Sequence, residues 1–168
     1  VRYYLATSPV MRAGDLRFAE REVDEVVKKF MLILLNVLSF YQMYAGKQQP
    51  PLSLDGVSQT PVAPQPLRKG ETGGGHVLDR WVVAKLNALT REITRGYDEY
   101  DLNKATRPLG EFVNELSTWY VRRSRDRFKA EGEDKQFALA TLRHVLVELS
   151  KLMAPVMPFM ADHVYRTF

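Results

Sequence analysis

The apolar residues of this chain recur at spacings of three and four, the repeat of an α-helix that buries one face. Between Phe18 and Ala45 they form one continuous stripe, made of Val23, Val27, Phe30, Leu34, Val37, Tyr41 and Tyr44. No segment alternates with a period of two over any length, so the pattern does not indicate strands. The spacing therefore predicts an all-α fold, with Gly46 as the end of the first long helix.

Four later segments have the same helical spacing. We expect helices over about 79–100, 102–128, 135–153 and 158–168. Asp79 and Asp101 are the expected N-caps of the first two, Pro155 ends the third, and Pro158 begins the last. Pro108 lacks a backbone donor, which predicts a kink or a restart near residues 106–110. Five helices in this order predict an antiparallel helical bundle.

The stretch from 46 to 76 interrupts these patterns. It holds five of the nine prolines and six of the ten glycines, so it cannot sustain a helix and is expected to be a long connector. The chain opens on "VRYYLATSPVM" without an initiator Met and ends on "DHVYRTF" inside a helical pattern. We therefore expect a piece of a longer polypeptide.

The residues that form disulfides, metal sites or catalytic sites are either missing from this chain or far apart in it. There is no cysteine, and His76, His144 and His163 lie far apart, so neither disulfides nor a metal site is expected. "GETGGGH" lacks the lysine of a phosphate-binding loop, and no nucleophile stands beside a base. The longest apolar run, which begins at Phe30, is too short to span a bilayer. We predict no catalytic residues and a soluble, intracellular protein.

The segment 117–130 carries the strongest local charge. It holds five basic residues and one acidic residue, an excess equal to the +4 of the whole chain. Two aromatic residues stand just ahead of its four arginines: Trp119, Tyr120, Arg122, Arg123, Arg125 and Arg127. Such cations can complement the dipole at a helix C-terminus, or they can bind phosphates beside aromatic rings that stack on bases. The residues alone leave both interpretations open.

The helical register divides this segment. Tyr120 is expected to face inward, whereas Arg122 and Arg125 are expected to point outward. Arg123 lies near the apolar seam and could be a structural ion-pair partner. Trp119 at such a seam is typical of a core residue.

A smaller basic strip lies on the preceding helix. Arg91 and Arg95 are four residues apart and therefore share one face. Such a strip is usually solvated, and it would join the arginines at 122–127 only if the fold brought the two surfaces together.

Several strings together resemble class I isoleucyl-tRNA synthetases. They are "SPVMRAGDLRFAE", "NVLSFYQMYA", "LDRWVVAKLNALTREITRGYDEYDLNKATRPLGEFVNELSTWYVRRSRDRF" and "ALATLRHVLVELSKLMAPVMPFMADHVY". The resemblance covers nearly the whole chain except about 47–76. It falls in the C-terminal α-helical anticodon-binding domain. Valyl- and leucyl-tRNA synthetases share this bundle and stay as alternatives, as does a helical scaffold whose arginines pair only with carboxylates.

The resemblance implies a domain plan and an activity for the parent enzyme. Residues 1–18 would be the tail of the connection from the catalytic core, and 19–168 would be the anticodon-binding domain with its connector at 46–76. The parent would use ATP with Mg to charge tRNA(Ile) with isoleucine. The "HIGH" and "KMSKS" motifs of the family are missing here, so this chain alone would hold no cofactor and be inactive. Its expected partners are tRNA(Ile) and the rest of the synthetase, in a cytoplasmic monomer away from any membrane.

The resemblance also favours RNA contact by the basic segment. The implied tRNA-binding residues are Arg122, Arg123, Arg125 and Arg127, with Trp119 and Tyr120 behind or beside them, and Arg91 and Arg95 on the preceding helix. Two positions depart from the family pattern: Pro108 replaces an ordinary helix former, and Lys129 stands where a tryptophan is frequent.

Overall fold

Helices make up the regular structure of the computed structural model, which describes residues 1–12, 14–15, 18–46 and 76–168. They are α1 (Arg2–Thr7), a 3-10 turn (Pro9–Arg12), α2 (Glu20–Val26), a first π segment (Val27–Met31), α3 (Leu32–Ala45), α4 (Val77–Asp98), α5 (Leu102–Glu115), a second π segment (Leu116–Val121), α6 (Arg125–Lys129), α7 (Glu133–Met153) and α8 (Pro158–Tyr165). The described residues contain no strand, which confirms the all-α fold class. The predicted connector lies outside the described residues except for Gly46 and His76.

The first long helix forms where the apolar stripe predicts it. It runs from Glu20 through the first π segment to Ala45, and the side chains that it buries include Phe30, Leu34 and Tyr41. Gly46 ends it with a φ of 67°, a conformation that residues with a Cβ rarely adopt. The prediction that Gly46 ends this helix is confirmed.

Helices α4 and α5 form a hairpin across a short turn. Asp101 caps α5 as expected, because its carboxylate accepts a hydrogen bond from the Lys104 amide at 3.1 Å. The two helices approach closely where Gly96 faces Ala105. A Cβ added to Gly96 would lie 2.6 Å from the Ala105 nitrogen. Only a glycine fits this crossing.

One local prediction in this hairpin is wrong, and a second is wrong in part. His76, and not Asp79, caps α4: its Nδ1 accepts a hydrogen bond from the Leu78 amide at 3.2 Å, and Asp79 lies buried in the first turn. Helix α5 continues through Pro108, so the chain does not restart there, whereas a kink at Pro108 stays a prediction. The irregularity comes later, at the second π segment, where the turns of this helix widen.

Helix α7 lies at the centre of the bundle and packs against α3, α4, α6 and α8. Its buried side chains include Leu142, Val145 and Leu149. It ends at Met153, ahead of Pro155, and α8 begins at Pro158, as predicted. Within the described ranges, no helix is long and apolar enough to cross a membrane.

Replacing Gly96 with Ala should destabilise the bundle. Alanine normally favours a helix, but here its Cβ would push the α5 backbone away. We expect the free energy of unfolding to fall by about 1–3 kcal/mol in urea denaturation monitored by circular dichroism. Asn87→Ala, at an exposed position of the same helix, is the matched control and should gain a few tenths of a kcal/mol. Equal stability of Gly96→Ala and the parent chain would contradict the close crossing.

Candidate nucleic-acid interface

A buried ion pair anchors the end of the bundle that carries the arginines. Asp79 is fully buried in the first turn of α4, and its two carboxylate oxygens accept hydrogen bonds from Arg127 Nη1 and Nη2 at 2.8 and 2.7 Å. The Tyr120 hydroxyl lies 2.8 Å from Asp79 Oδ1 and donates to it. Because each Asp79 oxygen is bonded, the buried charge is paired and hydrogen-bonded, as burial of a carboxylate requires.

Arg127 also reaches the start of α7. Its Nε and Nη2 donate to Asp134 at 2.8 and 2.7 Å, so its guanidinium makes four hydrogen bonds to carboxylates. These bonds hold the pKa of the Asp134 carboxyl below its usual range. Burial, together with the neighbouring Asp79 charge, raises the pKa of Tyr120. The ends of α4, α6 and α7 are thereby joined through one arginine.

This network gives Arg127 and Arg123 different surroundings from those expected. Arg127 was expected to contact RNA, but its guanidinium is largely buried between two carboxylates. The helical register put Arg123 close enough to the apolar seam to be a structural ion-pair partner, but it is exposed. The second π segment adds a residue to its turn, and Ser124 departs from helical geometry with φ −90° and ψ 3°. The residues after Val121 are therefore rotated relative to a continuous α-helix.

The remaining arginines of the segment point to solvent. Arg122, Arg123 and Arg125 are exposed, as predicted for Arg122 and Arg125. In the part of the chain that the structure describes, no carboxylate lies within ion-pair distance of these three residues. Three uncompensated guanidinium groups thus occur within four consecutive residues.

Trp119 lies beside these arginines at the surface. It is 48% exposed, so its expected place in the core is wrong, and the Arg123 guanidinium carbon lies 3.9 Å from the centre of its ring. Trp81 of α4 is the next ring, with its centroid 6.5 Å from that of Trp119. Lys85 lies over Trp81 at 5.8 Å. We call Arg123, Trp119, Trp81 and Lys85 the tryptophan strip.

Two members of the tryptophan strip were missed by sequence reasoning. Trp81 and Lys85 are four residues apart on α4, and the antiparallel hairpin places them beside the end of α5, where Lys85 pairs with Glu115 at 3.0 Å. The sequence feature that could have indicated them is the spacing of four between an aromatic and a basic residue, combined with the expected antiparallel hairpin. Tyr120, in contrast, is fully buried, which confirms that it faces inward.

The structure does not bring Arg91 and Arg95 into the tryptophan strip. Both are exposed on α4, about 15 and 21 Å along the helix axis from Trp81. Arg95 also forms an ion pair with Glu99 at 2.7 Å. Their contact with RNA stays a prediction. Among the described residues, no group of three or more His, Cys, Asp or Glu side chains could hold a metal ion.

Comparison with known proteins places this arrangement in a family. Residues 79–168, more than half of the chain, match the family model described as the anticodon-binding domain of tRNA ligase. The chain belongs to this family. The matched range begins at Asp79 and includes the buried ion pair, the exposed arginines and the tryptophan strip.

Curated relatives agree with the resemblance to isoleucyl-tRNA synthetases. The isoleucine–tRNA ligases of Chlamydia muridarum and Dehalococcoides mccartyi (strain CBDB1) are 36% and 39% identical to this chain over 168 residues, and each alignment covers 99% of the chain. That of Clostridium acetobutylicum is 36% identical over 169 residues and 98% of the chain. The chain spans only 14–15% of the length of these relatives.

Replacing Asp79 with Asn should cost far more stability than the same change at Asp134. Asp79→Asn leaves the Arg127 charge buried without its main partner, and we expect a loss of about 3 kcal/mol of unfolding free energy. Asp134 is half exposed, so Asp134→Asn should cost less than about 1 kcal/mol. Urea denaturation of both variants measures the difference. Losses of equal size would show that Asp79 is not the anchor.

Proposed function

We propose that this chain binds the anticodon stem and loop of tRNA(Ile) through Arg122, Arg123 and Arg125. The observation that carries the proposal is a set of three exposed arginines beside a half-exposed tryptophan, within the range that matches the anticodon-binding family. None of the three pairs with a carboxylate of the described residues. Guanidinium groups suit phosphates because they stay charged and donate in a planar fork. Arg127 is left out because its donors are bonded to Asp79 and Asp134.

The isoleucine relatives support the choice of tRNA and of the parent reaction. We propose that the parent enzyme is an ATP- and Mg-dependent isoleucine–tRNA ligase that acts as a cytoplasmic monomer, and that this chain is one of its non-catalytic parts. A helical scaffold would pair its arginines with carboxylates. That description fits Arg127 but not Arg122 or Arg125.

Removing two arginines should weaken tRNA binding and flatten its dependence on salt. For Arg122→Gln/Arg125→Gln we expect about tenfold or greater loss of affinity for an isoleucine tRNA transcript, because two phosphate contacts are lost. The slope of log affinity against log salt should become shallower by about 1.5. Filter binding at four or five salt concentrations measures both quantities.

A charge-matched control separates contact from net charge. Lys151→Gln/Arg166→Gln also removes two positive charges, one on α7 and one at the residue that follows α8. Lys151 lies about 25 Å along α7 from the end of the helix that meets Arg127. This control should bind tRNA like the parent chain. Equal losses in both double variants, or no loss in either, would contradict the assignment of the interface.

A further inference from the structure

We propose that Trp119 is the stacking platform for one unpaired nucleobase of the bound RNA, with Arg123 as the side chain that the base displaces. The inference rests on the proposed function and adds a site with its own chemistry. Phosphate binding accounts for the arginines, but it does not account for a large aromatic ring left half exposed among them. An exposed aromatic ring between cations is the arrangement that proteins use to stack single-stranded bases.

The ring is held by a rigid support. Its neighbours Leu116, Tyr120 and Val121 are buried, and the Tyr120 hydroxyl is bonded to Asp79. The backbone at Trp119 is therefore held in place by these buried neighbours. Trp81 lies beside it and extends the aromatic surface across to α4. A base that stacks here meets a surface whose position does not have to be ordered on binding, which lowers the entropic cost.

The position of Arg123 shows that a planar group can stack on the Trp119 ring. Its planar guanidinium lies 3.9 Å from the centre of the Trp119 ring, the distance of a stacked contact. A nucleobase is also planar and delocalised, and it offers a larger face. Arg123 has no carboxylate partner within the described residues, so no ion pair is broken when it leaves. The displaced guanidinium can bind the phosphate of the same nucleotide.

The neighbouring charges favour RNA over another planar ligand. Arg122 and Arg125 are exposed on either side of Arg123 in the chain and supply phosphate contacts. The Lys85–Glu115 ion pair lies beside Trp81, with Lys85 over its ring, and offers a donor and an acceptor to a base edge. The site therefore fits a nucleotide with an unpaired base. A fully paired RNA helix could bind the arginines through its phosphates, but it would offer no free base to stack on Trp119.

Tryptophan fluorescence tests the stacking directly, because Trp81 and Trp119 are the only two tryptophans of the chain. The probes are a hairpin with the anticodon stem and loop of an isoleucine tRNA and a blunt duplex of the same stem. We expect the hairpin to quench the emission of the unmodified chain and the duplex to leave it nearly unchanged. In Trp119→Phe, where Trp81 is the only tryptophan left, the hairpin should quench the tryptophan emission much less.

The binding affinities of variants measure how much the stacking contributes to RNA binding. Trp119→Ala should weaken hairpin binding by roughly five- to 150-fold and leave duplex binding unchanged. Trp119→Phe retains a ring and should recover most of the affinity. Phe159→Ala removes an aromatic ring that is 91% exposed on α8 and should bind like the parent chain. Thermal melting of each variant checks that it is folded.

The outcomes separate this inference from the proposed function. Hairpin binding without quenching, or with unchanged affinity in Trp119→Ala, overturns the stacking platform and leaves tRNA binding intact. Equal quenching by hairpin and duplex also overturns it, because no unpaired base is then needed. If neither the hairpin nor the whole tRNA binds the unmodified chain at low salt, the proposed function fails and the platform fails with it.

Discussion

The buried pair of Asp79 and Arg127 is the interaction on which the basic end of this bundle depends. Removing two charges from water costs several kcal/mol for each ion, and the pair offsets this with forked hydrogen bonds and the Tyr120 hydroxyl. Asp79 lies in the first turn of α4, Arg127 lies on α6, and Asp134, the second partner of Arg127, lies in the first turn of α7. The start of α4, 48 residues earlier in the chain, is thus held against α6 and the start of α7, and the surface around this contact is preorganised.

Residues of one type take two roles within a few positions of the chain. Arg127 is a structural cation, whereas Arg122, Arg123 and Arg125 are exposed and have no carboxylate partner among the residues that the structure describes. The second π segment and the turn at Ser124 make this division, because they rotate the chain after Val121. π segments inside helices are frequent at functional sites, and here the second π segment contains Trp119. A continuous α-helix would place Arg123 near the seam that Tyr120 occupies.

Sequence patterns predict a helix boundary correctly where the residue itself determines the local backbone conformation or caps the helix end. Gly46, Asp101, Pro155 and Pro158 all mark helix boundaries that local geometry explains, and the apolar spacing is enough for the all-α fold. The site depends on contacts that spacing does not encode. The partner of Asp79 lies 48 residues away, so Asp79 looked like a helix cap. An extrapolated 3.6-residue repeat placed Arg123 near the apolar seam, because no local pattern indicates the π segment. Trp119 was interpreted as a core residue because an aromatic at a bundle seam is usually one.

The different roles of the arginines can be observed side by side with NMR of the ¹⁵N-labelled chain. The Nε–Hε resonance of Arg127, whose Nε donates to Asp134 at 2.8 Å, reports the anchor, and those of Arg122, Arg123 and Arg125 report the surface. During titration with the anticodon hairpin, we expect the three surface resonances to shift and that of Arg127 to stay in place, protected from exchange with solvent. A large shift of Arg127, with Arg122, Arg123 and Arg125 unchanged, would contradict the assignment of anchor and interface.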